Sequence, residues 1–274
     1  MRNRLIALIA LIALVLTTNA WAANLTVNGS TTILPIMQKA VEAFMKANPD
    51  INVTVQGTGS SNGIKALLDG AADIAMASRK MKDKEKQAGA DKGVNAVEYR
   101  IALDALLPIV NPANPVSDLT LEQLQGIYAG QITNWKEVGG NDEEIVVISR
   151  DSSSGTYGTW KDMVMEHGDK KERVTPKALL LASSGLVMTE VSKNKKAIAY
   201  DGIGYVDKTV KALKVKGVAG NMETVYSNAF PLGRELQLYT NGDAKGDAKK
   251  LIDFLLSAEG QQLVKESGFI PLKK

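Results

Sequence analysis

Arg150-Asp151-Ser152-Ser153-Ser154-Gly155-Thr156 stands where a strand-like run, Glu144 to Ser149, gives way to a helical pattern. Two more small, hydroxyl-rich runs, Gly29-Ser30-Thr31-Thr32 and Gly59-Ser60-Ser61-Asn62-Gly63, occupy the same kind of strand-to-helix turn. Repeated turns of this kind imply a parallel or mixed sheet with crossover helices, in which ligands sit beyond the carboxyl ends of the strands. A helix start leaves N–H groups unpaired, glycine lets a ligand approach the backbone, and Ser and Thr add donors. Three such runs converging would trap a tetrahedral anion.

Outward from these turns, Asn24 to Asn28, Ile51 to Gln56 and Asp73 to Ala77 read as strands, and Ile33 to Asn48 and Ile64 to Gly70 as helices. The apolar run Ile101 to Val110 reads as a strand leaving one domain for the next. Beyond it Leu119 to Tyr128 reads as a helix that Asp118-Leu119-Thr120 can cap, Ala197 to Val206 as a strand interrupted at Gly202-Ile203-Gly204, and Leu236 to Tyr239 as the return crossing. Asp247 to Ser267 reads as one long closing helix, and the lysine-rich Lys80 to Lys92 as a solvated helix face. The expected fold is α/β, a two-domain binding protein of type II with a mixed sheet flanked by helices in each domain. Residues 23–105 plus 232–274 form domain I, residues 106–231 form domain II, and two crossings make the hinge of a ligand cleft.

Arg2 and Arg4, the apolar stretch Leu5 to Leu16 and Ala20-Trp21-Ala22 have the form of a cleavable export signal over residues 1–22. Its apolar core is shorter than the roughly 20 residues that span a bilayer, so no integral membrane segment is expected after its removal. The chain has no cysteine, hence no lipid-attachment thiol, disulfide or thiolate metal site. A freely diffusing periplasmic monomer is the expectation. Removing the signal takes the formal charge from +3 to about +1, which argues against nucleic acid as a partner.

Several motifs have bland readings. Gly57-Thr58-Gly59-Ser60-Ser61-Asn62-Gly63 misses the dinucleotide fingerprint by one position and is not a Walker loop. Gly29-Ser30-Thr31-Thr32 alone is an ordinary helix cap, but Thr is a mediocre helix former and capping needs only one hydroxyl. Arg150 offers a fork that holds an anion bidentately while Ser154 and Thr156 donate from the helix start; the alternative pairs it with Asp151. Ser78-Arg79 adds a hydroxyl and a second guanidinium, unless Arg79 pairs with Asp73 or Asp83 or points to solvent. Ala182-Ser183-Ser184-Gly185, before the apolar helix Leu186 to Val191, reads as a cap, with one more helix terminus for the anion as the alternative. A secreted hydrolase or phosphatase would need a base for Ser154, yet His167 is the lone histidine and no G-x-S-x-G elbow exists. One histidine and no clustered carboxylates leave no metal site, and no cofactor is implied.

Asn28-Gly29-Ser30-Thr31-Thr32, Gly57-x-Gly59-Ser60-Ser61-x-Gly63-Ile64-Lys65, Ala77-Ser78-Arg79 and Arg150 through Thr156 together resemble the periplasmic phosphate-binding proteins of ATP-driven phosphate importers. The resemblance spans the mature chain. It implies capture of inorganic phosphate, delivery to an inner-membrane ABC permease and no enzymatic turnover, with Thr31, Thr32, Ser60, Arg150, Ser154, Gly155 and Thr156 matching the family's ligand residues. To these Ser30, Ser61, Ser78, Arg79 and Ser153 are added as candidates. Another tetrahedral oxyanion, sulfate or molybdate, or a sensing role is the alternative. Many members carry an aspartate where Arg79 stands, which accepts the proton that phosphate has and sulfate lacks. Here Asp104, Asp151 or a backbone carbonyl is left for that task.

Overall fold

Ile51 and Val53 alternate with exposed polar residues, the signature of a strand buried on one face. In the computed structural model, which describes residues 23–273, this strand lies at the edge of a mixed sheet; the export signal lies outside the described residues. The first part of the chain runs β1 (Ala23–Gly29), α1 (Leu34–Ala47), β2 (Ile51–Gly57), α2 (Ser60–Leu68), β3 (Ile74–Ala77) and α3 (Asp83–Asp91). A long strand β4 (Ala96–Val110) leads to β5 (Asp118–Leu119), α4 (Leu121–Ala129), β6 (Val146–Arg150) and α5 (Gly155–Trp160), which a π turn extends to Met165. Next come β7 (Leu179–Leu181), α6 (Ser184–Lys193), β8 (Ala197–Gly202), β9 (Lys211–Ala212), β10 (Lys214–Val215) and α7 (Met222–Tyr226). The chain returns through β11 (Gly233–Asn241) to α8 (Gly246–Leu256) and α9 (Ala258–Glu266).

The strand order is β2-β1-β3-β11-β4-β8-β6-β7, with β9 also on β4 and a separate β5–β10 pair. β1 pairs in parallel with β2 and β3, and β6 with β7 and β8, while β11 and β4 are antiparallel to their neighbours. β4 serves both halves of the sheet: Ala96 through Ala105 lie against β11, and Leu106 through Val110 against β8. Each half has its own core. In the first, Ile36, Met37, Val41 and Phe44 of α1 pack with Leu236 and Leu238 of β11 and Leu251, Ile252 and Leu255 of α8. In the second, Leu124, Ile127 and Tyr128 of α4 pack with Ile148, Trp160, Ile198 and Tyr200.

Three sequence expectations are revised. The segment expected as one helix from Asp247 to Ser267 is two, because Ser257 adopts an extended conformation (φ −67°, ψ 170°) and its hydroxyl accepts from Gly260 N–H at 3.2 Å. Gly260 folds back so tightly that a Cβ there would lie 2.1 Å from Phe254 O. The helix after Asp118 starts at Leu121, since Thr120 is its cap and Asp118–Leu119 pair as β5. α2 starts earlier than its apolar pattern, at Ser60, which places Ser60 and Ser61 inside its first turn. The lysine-rich stretch holds α3, whose single buried residue is Gly89.

α2 rests directly on the end of β1: a Cβ on Gly63 would lie 2.4 Å from Gly29 Cα and 2.5 Å from Asn28 O. Backbone cannot yield as a side chain can. Gly63→Ala is therefore expected to destabilise the protein by about 2 kcal/mol, read as a lower denaturation midpoint; an unchanged midpoint would contradict this packing.

Candidate functional site

Arg150 ends β6 with its side chain only 2 % exposed, so its guanidinium needs acceptors inside the protein. Nε donates to Leu181 O at 3.0 Å, Nη2 to Ala182 O at 3.0 Å, and Nη1 to Ser184 Oγ at 3.2 Å. Nη2 also donates to Thr31 Oγ1 at 3.0 Å, which comes from the first half of the molecule. An aromatic wall sets the height of β6. Trp160 stacks on Tyr200 with centroids 4.1 Å apart, and the Tyr200 hydroxyl meets Ser149 Oγ at 2.8 Å and accepts from Arg150 N–H at 3.3 Å.

The hydroxyl runs meet as their placement in the sheet requires. Thr32 Oγ1 lies 2.9 Å from Thr156 Oγ1, joining the start of α1 to that of α5. Ser61 N–H donates to Ser153 O at 2.9 Å, Thr159 Oγ1 to Ser78 O at 3.2 Å, and the Tyr205 hydroxyl to Thr31 O at 2.6 Å. Ser60 Oγ accepts from Ser78 N–H at 3.1 Å, and Gly155 faces both serines with no room for a Cβ. Gly29 adopts φ +137°, and a Cβ on it would sit 2.2 Å from Met76 O; glycine there lets the turn close on β3 and Ser30 N–H reach the same carbonyl. Ser30, Thr31, Thr32, Ser60, Ser78, Arg150, Ser154 and Thr156 are all buried.

Four of the expected residues, Arg79, Ser61, Ser153 and Ser154, have partners on their own side of the site. Arg79 reaches neither Asp73 nor Asp83; it forks onto Glu85, with Nη1–Oε2 at 2.8 Å and Nη2–Oε1 at 2.7 Å. Burial pushes the Glu85 carboxyl up, but the hydrogen bonds from Arg79 and Lys82 N–H outweigh it and leave the group below its usual range. Ser61 Oγ accepts from Arg79 Nη2. Ser153 Oγ and N–H both donate to Asp151 Oδ1, at 2.5 and 2.8 Å, so Ser153 and Asp151 close a local turn. Ser154 is the cap of α5, its Oγ accepting from Tyr157 N–H at 3.2 Å, which leaves its own proton free to donate. His167 bonds Glu122 at 3.2 Å and so supplies Ser154 with no base.

Two residues at the site escaped the sequence reading, Arg234 and Asp201. Arg234 on β11 is 7 % exposed; its Nε donates to Asp104 Oδ2 at 2.7 Å and its Nη1 to Thr156 Oγ1 at 3.1 Å. Asp201, at the end of β8, accepts from Ser184 Oγ at 2.9 Å, so Ser184, read as part of a cap, connects Arg150 to a carboxylate. The available signal at Asp201 was a charged residue in the otherwise apolar run Ala197-Ile198-Ala199-Tyr200-Asp201, whereas Arg234, next to Glu235 and near Gln237, gave none. Burial pushes both carboxyls up, opposed at Asp104 by Arg234 and at Asp201 chiefly by Arg150. Two cations and two carboxylates thus frame a cluster of hydroxyls and helix-start amides, an arrangement that can hold an oxyanion by hydrogen bonds.

A model of the PBP superfamily domain matches residues 17–259. The phosphate-binding protein PstS of Borreliella burgdorferi is 34% identical over 255 residues, covering 90% of this chain and 89% of its own, and that of Bacillus subtilis is 32% identical over 254 residues, covering 91% and 81%. Among solved structures, a substrate-binding protein from Clostridium perfringens with phosphate bound has 39% identity and a TM-score of 0.85, covering 91% of this chain and 100% of that one. An ABC-type phosphate transport receptor from Vibrio cholerae has 37% identity and a TM-score of 0.74, covering 90% and 100%. By fold and by sequence, the chain belongs to the PBP superfamily and, within it, to the PstS phosphate-binding proteins.

Proposed function

We propose that this protein captures inorganic phosphate between two lobes, residues 23–105 plus 232–274 and residues 106–231, and delivers it to an inner-membrane ABC importer. The observation that carries this reading is the meeting of Arg150 with Thr31, and of Thr156 with Thr32, in a buried space to which each half contributes hydroxyls and a helix start. The expected solution state is a periplasmic monomer without a lipid anchor. Ser154 as a helix cap and His167 on Glu122 favour binding over hydrolysis.

Taking a phosphate dianion out of water costs many kcal/mol unless each oxygen is satisfied. Neither lobe alone has enough donors, so the ligand stabilises the joined arrangement more than the separated one and closure follows from binding. Pivoting at Ala105–Leu106, where β4 passes from β11 to β8, and at Leu232–Gly233, where β11 begins, would separate the lobes with most of each core intact. Micromolar affinity corresponds to about 8 kcal/mol, a small remainder of large opposing terms. Release at the permease needs only that the lobes be drawn apart.

Arg150→Ala should weaken phosphate binding by about 3 kcal/mol, more than a hundredfold in Kd, by calorimetry on ligand-stripped protein. Binding within threefold or so of the unaltered protein would place the anion elsewhere. Gly155→Ala tests closure separately, because its Cβ would fall 2.2 Å from Ser60 Oγ and 2.6 Å from Ser78 Oγ across the interface. This variant should lose about tenfold or more in phosphate affinity and keep, in small-angle scattering with phosphate, the radius of the ligand-free protein; a normal ligand-induced contraction would refute the wedge.

A further inference from the structure

Besides Arg79 Nε and Trp160 Nε1, two buried polar atoms have no hydrogen-bond partner among the described residues, Arg234 Nη2 and Asp201 Oδ2. Their side chains are more than nine-tenths buried, so each is costly to leave unpaired. Arg234 Nη2 lies 2.7 Å from Asp104 Oδ2, an ion pair whose geometry is not that of a hydrogen bond, while Nε donates to the same oxygen. Asp201 commits only Oδ1, to Ser184 Oγ at 2.9 Å and Gly202 N–H at 2.8 Å. The two atoms share a neighbourhood. Through Ser184 the Asp201 carboxylate touches Arg150, and the charge of Arg234 acts on it as well. Gly202 packs against the start of α1 and β4 so closely that a Cβ would lie 3.0 Å from Thr32 Cγ2 and 2.7 Å from Asp104 Oδ2.

One orphan donor and one orphan acceptor within reach of each other's charge are the complement of an oxyanion that still carries a proton. A fully ionised anion such as sulfate offers acceptors alone; it would satisfy Arg234 and set its charge against Asp201 Oδ2. Hydrogen phosphate offers both, ionised oxygens to the arginines and a P–O–H to the carboxylate. Resting on the phosphate reading, we propose that Asp201 selects phosphate over sulfate, its Oδ2 accepting the proton of the bound anion while Arg234 Nη2 donates to an ionised oxygen. Asp151 is only half-buried and its Oδ1 is taken by Ser153, and Asp104 commits Oδ2 to Arg234 and Oδ1 to Ile203 N–H, so neither carboxylate named from the sequence leaves a buried oxygen uncommitted.

The groups that face Asp201 are Arg150 from β6, Arg234 from β11, Asp104 from β4 and Tyr205 beyond β8. Burial and the Asp201 charge push the Tyr205 hydroxyl up, and the arginines stay charged, so near neutral pH the shared proton belongs to Asp201 and the ligand. Sulfate has to recruit that proton from water.

The test is calorimetry with phosphate and with sulfate, the weaker anion followed by displacement, on the unaltered protein and on Asp201→Asn. The asparagine removes the charge and presents an N–H, so phosphate affinity should fall, sulfate affinity should rise, and their ratio should collapse by about tenfold or more. Equal losses for both anions would show that Asp201 only supports Arg150 through Ser184, and would overturn the proposal. If Asp201→Asn does not fold, repeating the unaltered protein's titrations at about pH 8 in buffers of different ionisation enthalpy decides it. Sulfate should then take up close to one proton and phosphate none; equal uptake overturns the proposal. An unaltered protein that binds neither anion ends the phosphate reading itself, whereas phosphate preference retained in Asp201→Asn ends only the assignment of Asp201.

Discussion

A guanidinium buried to 2 % exposure is the constraint around which this molecule is arranged. Arg150 carries a full charge in any folded state, so the protein must bring acceptors to it, and local sequence cannot supply them. Leu181 and Ala182 provide carbonyls at the end of β7, Ser184 a hydroxyl at the start of α6, and Thr31 a hydroxyl from the other half. Tyr128, Trp160 and Tyr200 pack on one another behind β6, and the Tyr200 hydroxyl accepts from Arg150 N–H, tying the start of the fork to that wall.

The electrostatics of the site are nearly balanced before any ligand arrives. Arg150 is coupled to Asp201 through Ser184, and Arg234 lies directly on Asp104. Such pairing keeps two buried cations tolerable in the absence of an anion, at the cost of reducing the long-range pull on one. Affinity then depends on short-range donors: hydroxyl protons, first-turn amides and the uncommitted edge of Arg234. Hydrogen bonds of this kind are directional, which favours a tetrahedral ligand over any anion of equal charge.

Much of this could be read from the chain alone because strand-to-helix turns are local. The runs at Gly29, Gly59 and Arg150 each declare a ligand-facing loop through composition, and the sheet rule then predicts that they share one edge. What stayed hidden depends on pairs distant in sequence. Arg234 and Asp104 are separated by 130 positions; Asp104 alone looks like a charge misplaced in an apolar strand, and Arg234, next to Glu235, like an ordinary strand charge. Arg79 looked available because Glu85 sits on a helix that reads as solvated, yet the turn between them brings both ends of the carboxylate onto the guanidinium. The break at Ser257 was masked by apolar spacing that continues across both closing helices, so periodicity could not register the change of direction.

The interleaving of the two halves has a consequence for how the chain acquires its shape as it is made. The core around α1 includes Leu236, Leu238, Leu251, Ile252, Leu255, Val264 and Phe269, all of them near the carboxyl terminus. A polypeptide emerging amino end first, from a ribosome or through a translocation pore, displays Ile36, Met37 and Phe44 long before their partners exist. The middle segment, whose contacts are mostly its own, can consolidate earlier even though it is made later. Newborn copies therefore pass through a stage with one finished half and one apolar half waiting, and that interval is when they most need shielding from one another.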